Sequence, residues 1–107
     1  MTNILEETNA LVEKIASYCN PEKIILFGSA SRGQETPKSD IDLLIIKDSG
    51  KKGAFRVKEI FEAVRGIKSD YPLDPIVYTP EEVDHRVSLG DYFIKNILDQ
   101  GKIVYGR

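Results

Sequence analysis

The sequence predicts a small α/β (α+β) fold, a mixed β-sheet flanked by helices. Three observations predict it. Short apolar runs occupy residues 23–27, 40–46 and 74–78, each the length of one buried strand. Around them, apolar residues recur at helical spacing. The chain has 107 residues and 41% hydrophobic content, which fits one domain spanning 1–107 with one modest core.

Taken in order, residues 3–19 read as an amphipathic helix. Ile4, Leu11, Ile15 and Tyr18 recur close to helical spacing, with Leu5, Val12 and Cys19 beside them. Glu6, Glu7, Glu13 and Lys14 fall mostly elsewhere. Asn3 with Glu6 resembles a capping box, and Asn20-Pro21 ends the helix. Lys23 to Phe27 form a buried strand that stops at Gly28-Ser29. Residues 30–39 are small, polar and charged, with Gly33 and Pro37 among them, and form a loop with room for one helical turn. Residues 40–46 are the second strand and residues 48–53 a turn. Ala54, Val57, Phe61 and Val64 mark a second helix ending near Gly66. Residues 74–78 are a third strand. Thr79 can cap the next helix, Pro80 suits its first position, and Glu82 can complete the box. Phe93, Ile94, Ile97 and Leu98 give a last apolar face, ended by Gly101. Ile103, Val104 and Tyr105 add a short final strand.

Bulk properties narrow the function. Fifteen basic and seventeen acidic residues leave a formal charge of −2, and no basic stripe is visible, which argues against a long nucleic-acid groove. The single cysteine, Cys19, cannot form an internal disulfide and is read as packing, in a reducing, cytoplasmic setting. The N-terminus carries acids where a signal peptide would carry bases. No apolar run is long enough to span a bilayer, so a soluble, unprocessed protein is expected. His85 lies in a polar helix and Lys51-Lys52 in a turn; both are read as solvated.

One segment carries chemistry. Residues two apart on a strand share a face, so Asp40 and Asp42 point one way while Ile41 and Leu43 point the other, toward a core. Paired carboxylates repel, and a cation belongs with them. Mg²⁺ is hard, prefers oxygen donors, and is commonly held by one or two carboxylates plus substrate phosphates. Two ions about 3.5–4 Å apart can bridge the attacking and leaving oxygens of a phosphoryl displacement. Upstream, a glycine at the strand's end lets backbone approach a ligand closely, and Ser29 adds a hydroxyl. Gly28-Ser29 thus offers a phosphate cradle, distinct from a Walker A loop, which requires Gly-Lys-Ser/Thr. A third carboxylate would serve as base and metal ligand. Asp74, opening the next strand, is the candidate, with Asp70 as fallback; Pro75 beside it implies an edge or a strand start. Ser39 either bonds the loop or reaches a phosphate. Arg32 either clamps a phosphate or fixes the loop through backbone carbonyls.

Gly-Ser, ten residues, then Asp-x-Asp resembles the motif of the DNA polymerase β-like nucleotidyltransferase superfamily. Phe27-Gly28-Ser29, Arg32-Gly33 and Ser39 to Leu43 resemble its minimal nucleotidyltransferase branch, which includes the antitoxins of HEPN/MNT toxin–antitoxin pairs. The detailed motif covers residues 24–46; the stretches 73–82 and 94–105 extend the likeness over most of the chain. The resemblance implies a small nucleotidyltransferase fold. It implies that Gly28 and Ser29, with Arg32 and Ser39 beside them, hold the triphosphate of ATP. Asp40, Asp42 and Asp74 would bind Mg²⁺, and Asp74 would activate the incoming hydroxyl. It further implies AMP transfer to a tyrosine of a partner HEPN toxin, and so neutralisation. Two other functions compete: an inert or weakly active domain that neutralises by stoichiometric binding, and nucleotide addition to RNA. The acidic balance and the lack of an RNA module disfavour the last.

Overall fold

A computed structural model describes residues 3–106. The first helix, α1, spans Ile4–Cys19. Asn3 caps it, its side chain accepting from the Glu6 amide at 2.8 Å. Only this forward half of the expected capping box is among the described bonds. Asn20 closes the helix in the left-handed conformation. Strand β1, Lys23–Phe27, follows, then a 3-10 turn over Ser29–Arg32 in the predicted loop. Strand β2 spans Ile41–Ile46 and helix α2 spans Ala54–Ala63. Strand β3, Leu73–Tyr78, leads into helix α3, Pro80–Ser88. Helix α4, Tyr92–Gln100, and strand β4, Lys102–Gly106, come last among the described residues. The capping box at α3 is present in full: Thr79 and Glu82 each bond the other's backbone N–H.

The sheet order is β3-β2-β1-β4. β1 runs antiparallel to both β2 and β4, while β2 and β3 are parallel. Parallel neighbours need a crossover, and α2 supplies it. The two sheet faces are covered by different helices. On one, Leu26, Ile41, Leu43 and Ile45 pack with Ile15 of α1 and Ile60 of α2. On the other, Ile25, Leu44 and Ile46 meet Val83 of α3 and Ile94 and Ile97 of α4. β1, β2 and β3 therefore feed both cores by alternation. Pro75 sits on β3, the edge strand, where its missing N–H leaves no central ladder bond unmade.

Several expectations are corrected. Asp40 precedes β2 rather than opening it. Tyr18 and Leu5 are exposed on α1, whose buried stripe includes Ile4, Leu11, Val12, Ile15 and Cys19. On α2 the buried residues are Ile60 and Ala63, while Phe61 is 47% exposed. On α4 Ile94 and Ile97 are buried, while Phe93 and Leu98 are exposed. In each case a large apolar residue on the flank of the stripe mimics its centre. Glu7, expected on the polar side, is buried and accepts from Ser69 Oγ and the Asp70 amide, tying α1 to the loop before β3. No described helix is long and apolar enough to cross a membrane.

Candidate active site

The topology brings the predicted residues to one end of the sheet. β1 ends at Phe27 and its antiparallel partner β2 begins at Ile41, so Phe27 lies opposite Asp42. β3 is parallel to β2 and starts at the same end, so Asp42 lies opposite Asp74. Adjacent strands are only about 4.8 Å apart. Asp40 is two residues before Asp42 on the same side. One oxygen from each of Asp40, Asp42 and Asp74 lies within 4.8 Å of the others. Ile41 and Leu43 point into the α1/α2 core, as predicted. The fallback, Asp70, lies outside this cluster and serves the loop that Glu7 anchors.

Three carboxylates at this separation leave the site short of positive charge. The described ion pairs join Lys47 and Lys51 to Glu59, Arg56 to Glu82 and Arg86 to Asp91, and none reaches the cluster. Burial pushes the Asp42 carboxyl from its ordinary 3.8 up to about 6; the charges of Asp74 and Asp40 and a hydrogen bond to Asp74 act in the same direction. An all-oxygen, electron-rich donor set suits a hard divalent cation such as Mg²⁺.

Gly28 faces Asp42 directly. Its φ is +76°, and a Cβ placed there would collide with Asp42 Oδ2. Only glycine meets both demands. The loop beyond it is self-bonded. Ser31 Oγ donates to Gly28 O at 2.7 Å. Ser29 Oγ donates to Ser39 Oγ at 3.1 Å, and Ser39 Oγ also accepts from the Thr36 amide at 2.8 Å. Ser39 thus fastens the two ends of the loop. Arg32 is exposed; its Nε donates to Gln34 Oε1 at 3.1 Å, a side-chain partner in place of the backbone carbonyls considered from the sequence.

The other singled-out residues fall outside the site. His85, Lys51 and Lys52 are exposed. Cys19 is buried, which pushes its thiol up and makes it a poor nucleophile. The sequence reading missed the residues of α4 that border Gly28, of which Phe93 packs edge-on against Phe27 at 5.8 Å between ring centres. Their spacing at 93, 96, 97 and 100 was the available signal.

A glycine-kinked strand end facing three clustered carboxylates, on a four-stranded mixed sheet, defines a class. The chain belongs to the nucleotidyltransferase family of the polymerase β-like superfamily: the nucleotidyltransferase domain model matches residues 5–104. A relative from Methanocaldococcus jannaschii, provisionally named a protein adenylyltransferase, is 32% identical over 108 residues, covering 95% of this chain and 94% of the relative. A 1.40 Å crystal structure from Sulfolobus solfataricus, provisionally named a nucleotidyltransferase, shares the fold with a TM-score of 0.65. It is 23% identical, and the match covers 97% of this chain and 81% of that one.

Proposed function

We infer that this protein is a Mg²⁺-dependent adenylyltransferase that moves AMP from ATP onto a hydroxyl of a partner protein. The observation that carries the reading is the meeting of Asp40, Asp42 and Asp74 within 4.8 Å beside the Gly28-Ser29 turn. The acceptor class rests on the M. jannaschii relative, whose provisional name is that of a protein adenylyltransferase.

In this reading Asp40 and Asp42 hold Mg²⁺ with Asp74. Magnesium bound there supplies the positive charge that phosphoryl transfer requires and that the carboxylates lack. Gly28 and Ser29 hold the triphosphate, with Ser39 steadying Ser29 and Arg32 available from the loop. Asp74 accepts the proton of the incoming hydroxyl. The acceptor's hydroxyl oxygen then bonds to the α-phosphorus as the bond from that phosphorus to the bridging oxygen breaks. Pyrophosphate leaves, and AMP remains on the acceptor.

In this reading the nucleotidyltransferase domain works in the cytoplasm and takes its acceptor surface from a partner protein. By its sequence resemblance to the minimal nucleotidyltransferase antitoxins, that partner is a HEPN-type toxin, modified on a tyrosine and thereby neutralised. ATP labelled at the α-phosphate, incubated with Mg²⁺, the protein and lysate of its host, tests this. Label on one protein band, absent with γ-labelled ATP and with Asp42→Asn, is the expected result. Mg-ATP binding and partner capture without transfer would favour neutralisation by stoichiometric binding. Label on RNA would shift the acceptor class.

A further inference from the structure

Beside the carboxylate cluster, on the other side of Phe27, lies a separate cavity of about 280 Å³. Phe27, Gly28, Arg32, Phe93, Asn96 and Gln100 line it. We propose that this cavity receives the nucleotide's base, and that it is built for adenine. The proposal rests on the transferase reading above and adds to it the part of the substrate that the carboxylates do not touch.

Four features carry it. The cavity shares Gly28 with the turn that faces Asp42, so it begins where the triphosphate would end. Its volume lies at the low end for small-molecule pockets and suits one flat ring system better than a whole nucleotide. Its walls are aromatic: Phe27 and Phe93 meet with their planes at 84°, and Phe93 is 53% exposed, so it offers aromatic surface to a flat base. Its polar groups are of the right kind. Asn96 and Gln100 stand three and seven residues beyond Phe93, on the same face of α4. Neither side chain is hydrogen-bonded to another described group, and each carboxamide offers a donor next to an acceptor. Adenine presents the complementary pair through its amino group and the adjacent ring nitrogen.

The lining also excludes other occupants. Among the described residues no carboxylate borders the cavity, so a cationic acceptor finds no counter-charge in this lining. Among the described lining residues Arg32 is the one that carries a charge. The floor is closed by Ile97 and Gly101. A side chain at Gly101 would meet Ile25 Cγ2 and Ile97 O at 2.5 Å, so this glycine lets α4 and β1 come together under the cavity.

The test separates base from phosphate. Titration calorimetry in Mg²⁺ would compare ATP, UTP and inorganic tripolyphosphate on the wild type, Phe93→Ala, the double variant Asn96→Ala/Gln100→Ala, and Asp42→Asn. Positions 93, 96 and 100 are exposed on α4, so these variants retain the fold, as a thermal melt would show. Loss of the stacking face or of the amides is expected to weaken ATP about ten-fold while leaving tripolyphosphate unchanged. The preference for ATP over UTP should shrink in the double variant. Unchanged ATP affinity in both α4 variants would place the base elsewhere and overturn the proposal, while leaving the transferase reading intact. A parallel loss of ATP and tripolyphosphate would overturn it too, by showing a merely structural role for α4. Wild-type protein that binds neither ligand would bring down the transferase reading and the base site with it.

Discussion

The two faces of the sheet are made from the same strands and do opposite things. The face toward α1 and α2 is apolar along the whole length of β2, with Ile41, Leu43 and Ile45 fully buried. Toward α3 and α4, β2 is apolar only in its far half, at Leu44 and Ile46. Its near end carries Asp42 where the pattern calls for another aliphatic. Alternation therefore lets one six-residue strand give every odd position to one core and free an even one, Asp42, for a carboxylate. Stability and chemistry are separated by direction rather than by distance.

Neighbouring substitutions on opposite faces should thus break different properties. Leu43→Ala removes a fully buried side chain and leaves a cavity in the closed core. The expected loss is about 2–5 kcal/mol, read as a lower midpoint in urea. A loss below that range would mean that the core repacks freely and that the two faces differ less than their burial says.

Asp42→Asn should do the reverse. Its size is conserved, yet transfer should fall about a hundredfold or more, because a cation ligand is gone. Metal-free stability should rise. The Asp42 carboxyl is raised to about 6 against 3.8 in the unfolded chain. Its contribution to stability is therefore complete below about pH 3.8 and lost as pH rises through about 6. Above that, the folded protein carries a charge it disfavours, and asparagine does not. At pH 7.5, without divalent ions, the variant should melt higher than wild type; near pH 3.5 the two should coincide. Adding Mg²⁺ at pH 7.5 should raise the melting temperature of the wild type and leave the variant largely unmoved. A variant that melts lower at pH 7.5 would show that the cluster is not strained by its own charge.

Much of this division was legible in the sequence, and the reasons are physical. Asp40 and Asp42 could be placed on one face because strand periodicity is rigid, and Thr79-Pro80-Glu81-Glu82 could be read as a helix start because capping is local. Asp74 could be named a candidate but not located. Its approach depends on β3 pairing with β2 in parallel, a contact across more than 30 positions of sequence. The strand order and the anchoring of Glu7 on Ser69, 62 residues away, are non-local in the same way. Helix faces were legible only to within one flank. Phe61 and Phe93 look like core residues by type, and which of several apolar neighbours turns inward is decided by the partner surface. For Phe93 that outward turn is what opens the wall of a cavity.

Gly28 is where the two faces are joined, and Gly28→Ala would sharpen the comparison. The methyl group needs the space of Asp42 Oδ2, at a φ of +76° that alanine resists. Folding should cost roughly 1–2 kcal/mol. Transfer should fall much further than that cost explains, since the displaced group is Asp42. Activity falling only in proportion to the unfolded fraction would mean that Gly28 serves the turn alone.

Ser39 should show the smallest effect, and it decides between the two roles the sequence left open. Its oxygen is engaged within the protein, accepting from Ser29 Oγ and from the Thr36 amide. A residue so engaged acts on the nucleotide by holding Ser29 in place. Ser39→Ala should then cost about 1 kcal/mol of stability and lower ATP affinity only slightly. Ser29→Ala should lower that affinity more, and the double variant should add little to Ser29→Ala, because both changes remove one linked arrangement. Additive losses in ATP affinity would instead put Ser39 on a phosphate in its own right, donating the O–H that its loop bonds leave uncommitted.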